Sequence, residues 1–202
     1  MTGNAGEDVP TGIRFGRTEV VPVVGDLLAQ RTEAVVFPAN RRGVMGAIST
    51  PGIVGLRSLG GSEIERQAMA NAPHELGTAV VTGAPGLEPN GITWVVHAVV
   101  HRALGEPARI EDVRRATAAA VIAADRARAR TLTMPLLGVE SAAGRADPEP
   151  FVRAIVDELV AALRRSTLRF DRVVIACRFA DHADAVRGAL ERARERSWVR
   201  PL

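Results

Sequence analysis

The chain contains no lysine, no tyrosine and a single cysteine among its 202 residues. Without lysine it cannot form a lysine Schiff base with a substrate, and it cannot contain a Walker phosphate-binding motif, which includes that residue. One cysteine cannot form an internal disulfide, and no Cys/His spacing resembles a zinc site. We therefore expect a reducing compartment, no metal and no cofactor.

The high isoelectric point follows from the same absences. All 26 basic residues are arginine, the net charge is only +3, and the sequence pI is about 10.6. Almost nothing titrates between His and Arg, so a small positive excess persists to very high pH. Arginines and carboxylates interleave, as in residues 191–196, which favours solvated helix faces over a phosphate-tracking stripe. Nucleic-acid binding therefore stays a third hypothesis, and we expect no such partner.

Long apolar runs are also missing. No uninterrupted run approaches the roughly 18 residues of a membrane span, and residues 1–10 are polar and acidic, without the apolar segment of a signal peptide. We expect a cytoplasmic protein without a membrane partner. The length fits one domain, which we predict at residues 13–196, with a disordered lead-in at 1–12 and a tail at 197–202.

Apolar runs alternate with helical patterns along the folded part, and several runs lack polar alternation, as strands covered on both faces do. Strands are predicted at residues 20–24, 34–37, 79–82, 93–100, 131–137 and 173–177. Helices are predicted at 62–71, opened by a Ser62/Glu65 capping box, at 111–130, from 148 onward and at 181–196. The predicted fold class is α/β, a three-layer α/β/α sandwich with a mixed, largely parallel central sheet.

Loops after the strands are the candidate site, because ligands of open α/β sheets bind at the carboxyl ends of the strands. Gly25-Asp26-Leu27 follows the first predicted strand. Asp26 has two interpretations: an N-cap of a short helix, or a carboxylate that accepts a hydrogen bond from an exocyclic amine such as that of adenine.

Two further loops suit a diphosphate. Residues 41–48, the glycine loop, follow a buried strand and contain Gly43 and Gly46 before an apolar helix start. Residues 138–144, the serine loop, follow another strand and consist mostly of small residues. Backbone N–H groups in such loops can cradle phosphate, although glycines of this kind are also ordinary turn residues. Together the two loops could hold a diphosphate from both sides.

Taken in order, these segments resemble the macrodomain family. Gly25-Asp26-Leu27 matches the family's G-D-[IL], residues 35–40 resemble V-V-N-A-A-N, and residues 43–48 resemble G-V-x-G-A-I. Residues 94–97 resemble the Y-V-I-H strand, and residues 135–144 resemble the proline-led second phosphate loop. The matches keep the family's order over roughly residues 20–190.

The resemblance implies binding of ADP-ribose, free or attached to a modified protein. Asp26 would hold the adenine amine with Leu27 nearby, Asn40 would face the distal ribose, and Phe179 would stack on adenine. A shift of one residue would place Arg178 there instead. The residues implied around the diphosphate are Gly43, Val44, Met45 and Gly46 of the glycine loop, and Gly138, Val139, Ser141, Ala142, Ala143 and Gly144 of the serine loop.

Three departures from the family pattern bear on catalysis. Phe37 replaces the first Asn of N-A-A-N, with the glycine run shortened; Met45 stands where many hydrolytic members carry an acid; and the serine loop lacks its S-T-G core. Two functions remain open: hydrolysis of ADP-ribosyl esters on modified proteins, with Asn40 and Glu140 as candidate catalytic residues, or reading of ADP-ribose without turnover. The alternative interpretation of Glu140 is a solvated loop residue without a catalytic role.

Other reactive side chains receive structural interpretations. His97 and His101 lie near the end of a predicted strand, and neither has a partner motif nearby. Cys177 ends another apolar strand. We interpret both histidines as structural and Cys177 as an inert core thiol.

Overall fold

The computed structural model describes residues 11–45, 53–141, 144–145, 147–165 and 167–196. Gly46, Ala142 and Ala143 of the predicted site lie outside these ranges, as do residues 1–10 of the predicted lead-in and the whole predicted tail. The regular elements described run from Ile13 to Arg196.

Seven strands of the described chain form one sheet. Its strands are β1 Ile13–Phe15, β2 Thr18–Val24, β3 Ala34–Asn40, β4 Ala79–Gly83, β5 Trp94–His101, β6 Thr131–Pro135 and β9 Arg172–Cys177. Their spatial order is β1-β2-β9-β6-β3-β5-β4; the five inner strands are parallel to one another, and the two outer strands are antiparallel to their neighbours. The predicted mixed, largely parallel sheet is confirmed. Two short strands, β7 Glu140–Ser141 and β8 Gly144–Arg145, pair separately.

Helices cover both faces of the sheet. The α-helices are α1 Ile53–Met69, α2 Ile110–Arg126, α3 Pro148–Leu163 and α4 Ala180–Arg196. Val36 and Val96 enter a large core cluster with α2, α3 and α4, whereas Val35 and Val95 enter a smaller cluster with α1 and the 3-10 helices Leu27–Gln30 and Glu88–Asn90. This alternation follows from the period of two along a strand, and it produces the predicted three layers.

Local predictions were wrong at α1 and β6, and the edge strand β1 was missed. The first α-helix begins at Ile53, so Ser62 lies inside it and the Ser62/Glu65 pair is not a capping box. Burial of Leu56 and Ile64 on one face in the smaller core cluster explains the earlier start. The strand predicted to 137 ends at Pro135, the last of its residues that pairs with β9. The edge strand β1, only three residues long, was not predicted.

The sheet divides between β3 and β6 at its carboxyl edge. These strands pair only at Ala34 with Leu132 and Val35 with Thr133; beyond that point β3 pairs with β5 and β6 with β9. Pro38 and Pro135, which lack an N–H, both lie in the stretches where β3 and β6 do not pair with each other. The chain proceeds from β3 to α1 on one face and from β6 to α3 on the other. This opening, the β3/β6 crevice, is therefore the topological switch point of the sheet.

Candidate functional site

The predicted ligand-binding segments follow four neighbouring strands at one edge of the sheet. Asp26 follows β2, Phe179 follows β9, Gly138 follows β6 and Asn40 ends β3, and these strands are adjacent in that order. Neighbouring strands lie about 4.8 Å apart, and β3 and β6 separate at this edge, so the row spans at least about 14 Å. Only an elongated ligand can contact both ends of the row.

Asp26 stands at the start of its turn in a capping role. Its Oδ1 accepts a hydrogen bond from the Leu28 N–H at 2.7 Å and caps the 3-10 helix Leu27–Gln30, as the N-cap interpretation predicted. The residue is exposed, and a carboxylate has two oxygens, so the cap does not exhaust its accepting capacity. Leu27 is buried in the smaller core cluster beneath the turn.

Phe179 lies beside this turn, because the Gly25 N–H donates to the Cys177 carbonyl at 3.0 Å and extends the β2–β9 ladder to that point. The Phe179 ring is half-buried. The guanidinium carbon of Arg178 lies 5.4 Å from its centroid, within cation–π range. The buried His182 ring meets it edge-on, with centroids 5.3 Å apart. The two residues between which the resemblance could not decide therefore form one stacked unit.

Asn40 shapes the glycine loop from inside. It is 4% exposed. Its Nδ2 donates to the Val44 carbonyl at 2.6 Å, and its Oδ1 accepts from the Arg42 N–H at 2.9 Å. The Gly43 N–H donates to the Asn40 carbonyl at 3.0 Å. The side-chain amide keeps one further hydrogen and one further lone pair, so loop shaping and ligand contact are compatible.

Residues 41–45 of the glycine loop rest against α1. Gly43 has φ +70°, and a Cβ on it would lie 2.5 Å from the Ala68 carbonyl oxygen, so only glycine fits here. Met45 is 7% exposed and packs in the smaller core cluster. Its N–H donates to Glu65 Oε1 at 2.7 Å. The Met45 N–H therefore donates to Glu65 in this structure, and a contact of Met45 with the diphosphate would have to use other atoms.

Glu65 is a residue that sequence reasoning missed. It lies 20 positions beyond Met45 on α1 and was assigned to a capping box. Nothing local in the sequence links it to the loop, since the contact depends on how α1 packs across the sheet.

The serine loop is anchored by its first residues. Gly138 has φ +82°, and a Cβ on it would lie 2.7 Å from Phe151 Cε1 of α3. Val139 is 1% exposed and belongs to the larger core cluster. The next residues form the short β7–β8 pair, in which Ser141 is opposite Gly144. Gly138 and Val139 therefore fix the base of the loop, and Glu140, Ser141 and Gly144 lie beyond it.

The histidines of β5 have protein partners. His97 Nε2 lies 3.0 Å from Thr82 Oγ1, and burial lowers the pKa of His97 to about 4. His101 Nδ1 lies 2.8 Å from the Glu106 carbonyl, and burial lowers its pKa too. Burial raises the pKa of Cys177 to about 12. These neutral, packed groups match the structural interpretations given to them.

The described ranges contain no group of three or more His, Cys, Asp or Glu placed to hold a metal ion. No helix described there is long and apolar enough to cross a bilayer.

Sequence comparison identifies the class of this fold. A family model described as Macro domain matches residues 36–146, just over half of the chain. An uncharacterized protein of Aquifex aeolicus is 35% identical over 142 residues, covering 70% of this chain and 81% of that protein. An uncharacterized protein of Aeropyrum pernix is 36% identical over 116 residues, covering 57% and 58% of the two chains. The chain belongs to the Macro domain family.

Solved structures agree on the fold. The Oceanobacillus iheyensis macrodomain with ADP has a TM-score of 0.75 at 12% identity, over 92% of this chain and 96% of that one. The Trypanosoma brucei macrodomain in complex with ADP-ribose has a TM-score of 0.70 at 17% identity, over 85% and 68%. At such identities the likeness concerns the fold alone.

Proposed function

We propose that this macrodomain binds ADP-ribose along the carboxyl edge of its sheet. The adenine end lies at Asp26 and Phe179, the diphosphate lies between the glycine and serine loops, and the distal ribose lies toward Asn40. The observation that carries the proposal is the row of four such segments on adjacent strands, crossing the β3/β6 crevice. Two macrodomains of the same fold are described as holding ADP and ADP-ribose.

Each end of the row offers the chemistry that its part of the ligand needs. The free capacity of the Asp26 carboxylate suits the adenine amine, and the Arg178/Phe179 unit offers a flat surface for the ring. At the other end, the buried Asn40 amide can donate to one ribose hydroxyl and accept from another. Arg41 and Arg42 are exposed beside it and attract a polyanion toward the crevice.

Calorimetric titration with ADP-ribose, ADP and AMP tests this proposal. ADP-ribose should bind with micromolar affinity, about −8 kcal/mol, and AMP should bind more weakly because it reaches only part of the row. Random duplex DNA at physiological salt is the control for nucleic-acid binding. Absence of heat with millimolar ADP-ribose, or equal affinity for AMP, would contradict the proposed placement.

We further propose that the protein hydrolyses ADP-ribosyl esters on acidic side chains of modified proteins. Hydrolysis requires a water near the distal ribose and a group that activates it. Met45 cannot act as that group, because its thioether is not basic and its side chain is packed in the core. Asn40 is the proposed residue that orients the ribose, and Glu140 is the proposed base.

Release of ADP-ribose from a protein mono-ADP-ribosylated on glutamate tests the hydrolase proposal. Glu140→Gln should lower kcat while leaving the affinity for free ADP-ribose unchanged. If Glu140→Gln turns over like the wild type, Glu140 is not the base. If the wild type binds ADP-ribose but releases none, the protein is a reader.

A further inference from the structure

Glu65 of α1 contacts the glycine loop, and it has no role in the binding or hydrolysis proposed above. Its Oε1 accepts the Met45 N–H at 2.7 Å. We infer that Glu65 is a positioning residue, an inference that rests on the proposed ADP-ribose site. It fixes the Met45 peptide so that the described part of the glycine loop, residues 41–45, has its binding conformation before the diphosphate and distal ribose arrive.

The described part of the glycine loop, residues 41–45, has both internal contacts and contacts with α1. Asn40 holds its first turn through Val44 and Arg42, but those contacts are internal to the loop and fix only its shape. Its position depends on α1. Gly43 lies against the Ala68 carbonyl, and Met45 shares the smaller core cluster with Leu56 and Ile64.

Glu65 sets the orientation of the Met45 peptide within this attachment. Glu65 and Ala68 are three residues apart on α1 and therefore lie on the same face of the helix. The helix thus contacts the loop at Gly43 and again two residues later at the Met45 N–H. Because van der Waals packing of a flexible Met side chain does not set the orientation of its peptide, the carboxylate hydrogen bond is the contact that orients it.

Preorganisation of this kind increases affinity without contact with the ligand. A loop containing glycine loses conformational freedom when it is fixed on a ligand, and that loss weakens binding. A loop already fixed by Glu65 avoids the loss. The effect should be confined to ligands that reach the glycine loop, at the β3 end of the row.

The test compares affinities for ADP-ribose and AMP in four proteins: the wild type, Glu65→Ala, Glu65→Gln and Glu63→Ala. Glu65→Ala should weaken ADP-ribose about tenfold and leave AMP within about twofold, whereas Glu65→Gln, which keeps an accepting oxygen, should retain ADP-ribose within about threefold. Glu63 is the matched control, since it lies on the same helix and pairs with Arg66 at the surface. Its removal should change neither affinity.

Hydrogen exchange at the Met45 amide provides a readout independent of ligand. Exchange should be slow in the wild type and in Glu65→Gln, and faster in Glu65→Ala. Glu65→Met, which keeps the length of the side chain without an acceptor, replaces Glu65→Ala if the latter does not fold.

Each outcome has a distinct meaning. An unchanged ratio of ADP-ribose to AMP affinity in Glu65→Ala, or rapid Met45 exchange in the wild type, would overturn the role of Glu65 and leave the proposed site intact. Failure of the wild type to bind ADP-ribose would instead overturn the proposed function and the inference that depends on it.

Discussion

The side-chain amide of Asn40 spans the glycine loop and donates from Nδ2 to the Val44 carbonyl at 2.6 Å. The same amide accepts the Arg42 N–H at its other end. A residue assigned to the distal ribose by family resemblance therefore also determines the fold of the loop around that ribose. Substitution of Asn40 should consequently alter stability as well as binding.

Asn40→Asp separates these contributions. It keeps an oxygen for the Arg42 N–H but places a carboxylate oxygen against the Val44 carbonyl, so the free energy of unfolding should fall by about 1–3 kcal/mol. Urea denaturation measures the change. Asn90→Asp is the control, because Asn90 Nδ2 donates to the Leu28 carbonyl at 3.2 Å from a half-buried position, and its cost should be below about 1 kcal/mol. Equal stability of Asn40→Asp and wild type would contradict the contact.

Asp26 combines a cap with a proposed adenine contact, and two substitutions distinguish them. Asp26→Ala removes both and should lower the free energy of unfolding by about 1 kcal/mol. Asp26→Ser restores a good N-cap but is too short to reach adenine, so its stability should be close to that of the wild type. Both variants should lose about tenfold or more in ADP-ribose affinity by calorimetry. Full affinity in Asp26→Ser would exclude the adenine role.

Gly43→Ala tests the close approach of the glycine loop to α1. A new Cβ would meet the Ala68 carbonyl, and the backbone would keep φ +70°. The left-handed conformation alone costs roughly 1–2 kcal/mol, and overpacking adds about 1–3 kcal/mol. Gly91→Ala isolates the first contribution, since Gly91 has φ +78° with nothing within 4 Å of the added Cβ. Thermal unfolding should show the larger loss for Gly43→Ala, and equal losses would contradict the packing.

The sequence predicted the parts of the site that depend on local pattern. The runs that became β3, β6 and β9 are apolar and rich in branched residues, so both the strands and the loops after them could be located. The capping role of Asp26 also depends on neighbouring residues alone.

The remainder depends on packing between distant elements. The Glu65 contact with Met45 and the start of α1 at Ile53 both require the helix to be docked on the sheet. The separation of β3 from β6 depends on which strands become neighbours, which the positions of Pro38 and Pro135 do not disclose. Long-range pairing of this kind has no local signal.

Burial of His97 makes stability depend on pH in the acid range. The pKa of His97 is lowered from 6.5 to about 4. Burial is the larger cause, and the charge of His74 is the smaller. The unfolded chain binds a proton below pH 6.5, whereas the folded protein resists protonation until about pH 4. The stabilising contribution is therefore complete above pH 6.5 and is lost as pH falls toward 4, by on the order of 3 kcal/mol.

His97→Leu should remove this part of the pH dependence while leaving the other histidines and the carboxylates in place. Urea denaturation at intervals between pH 7 and pH 4 gives the free energy of unfolding of both proteins. The difference between them should shift in favour of the variant as the pH falls, whatever stability the variant loses with the Thr82 contact. Parallel curves for the two proteins would mean that His97 binds its proton equally well in the folded and unfolded states, which a side chain 4% exposed beside Thr82 should not do.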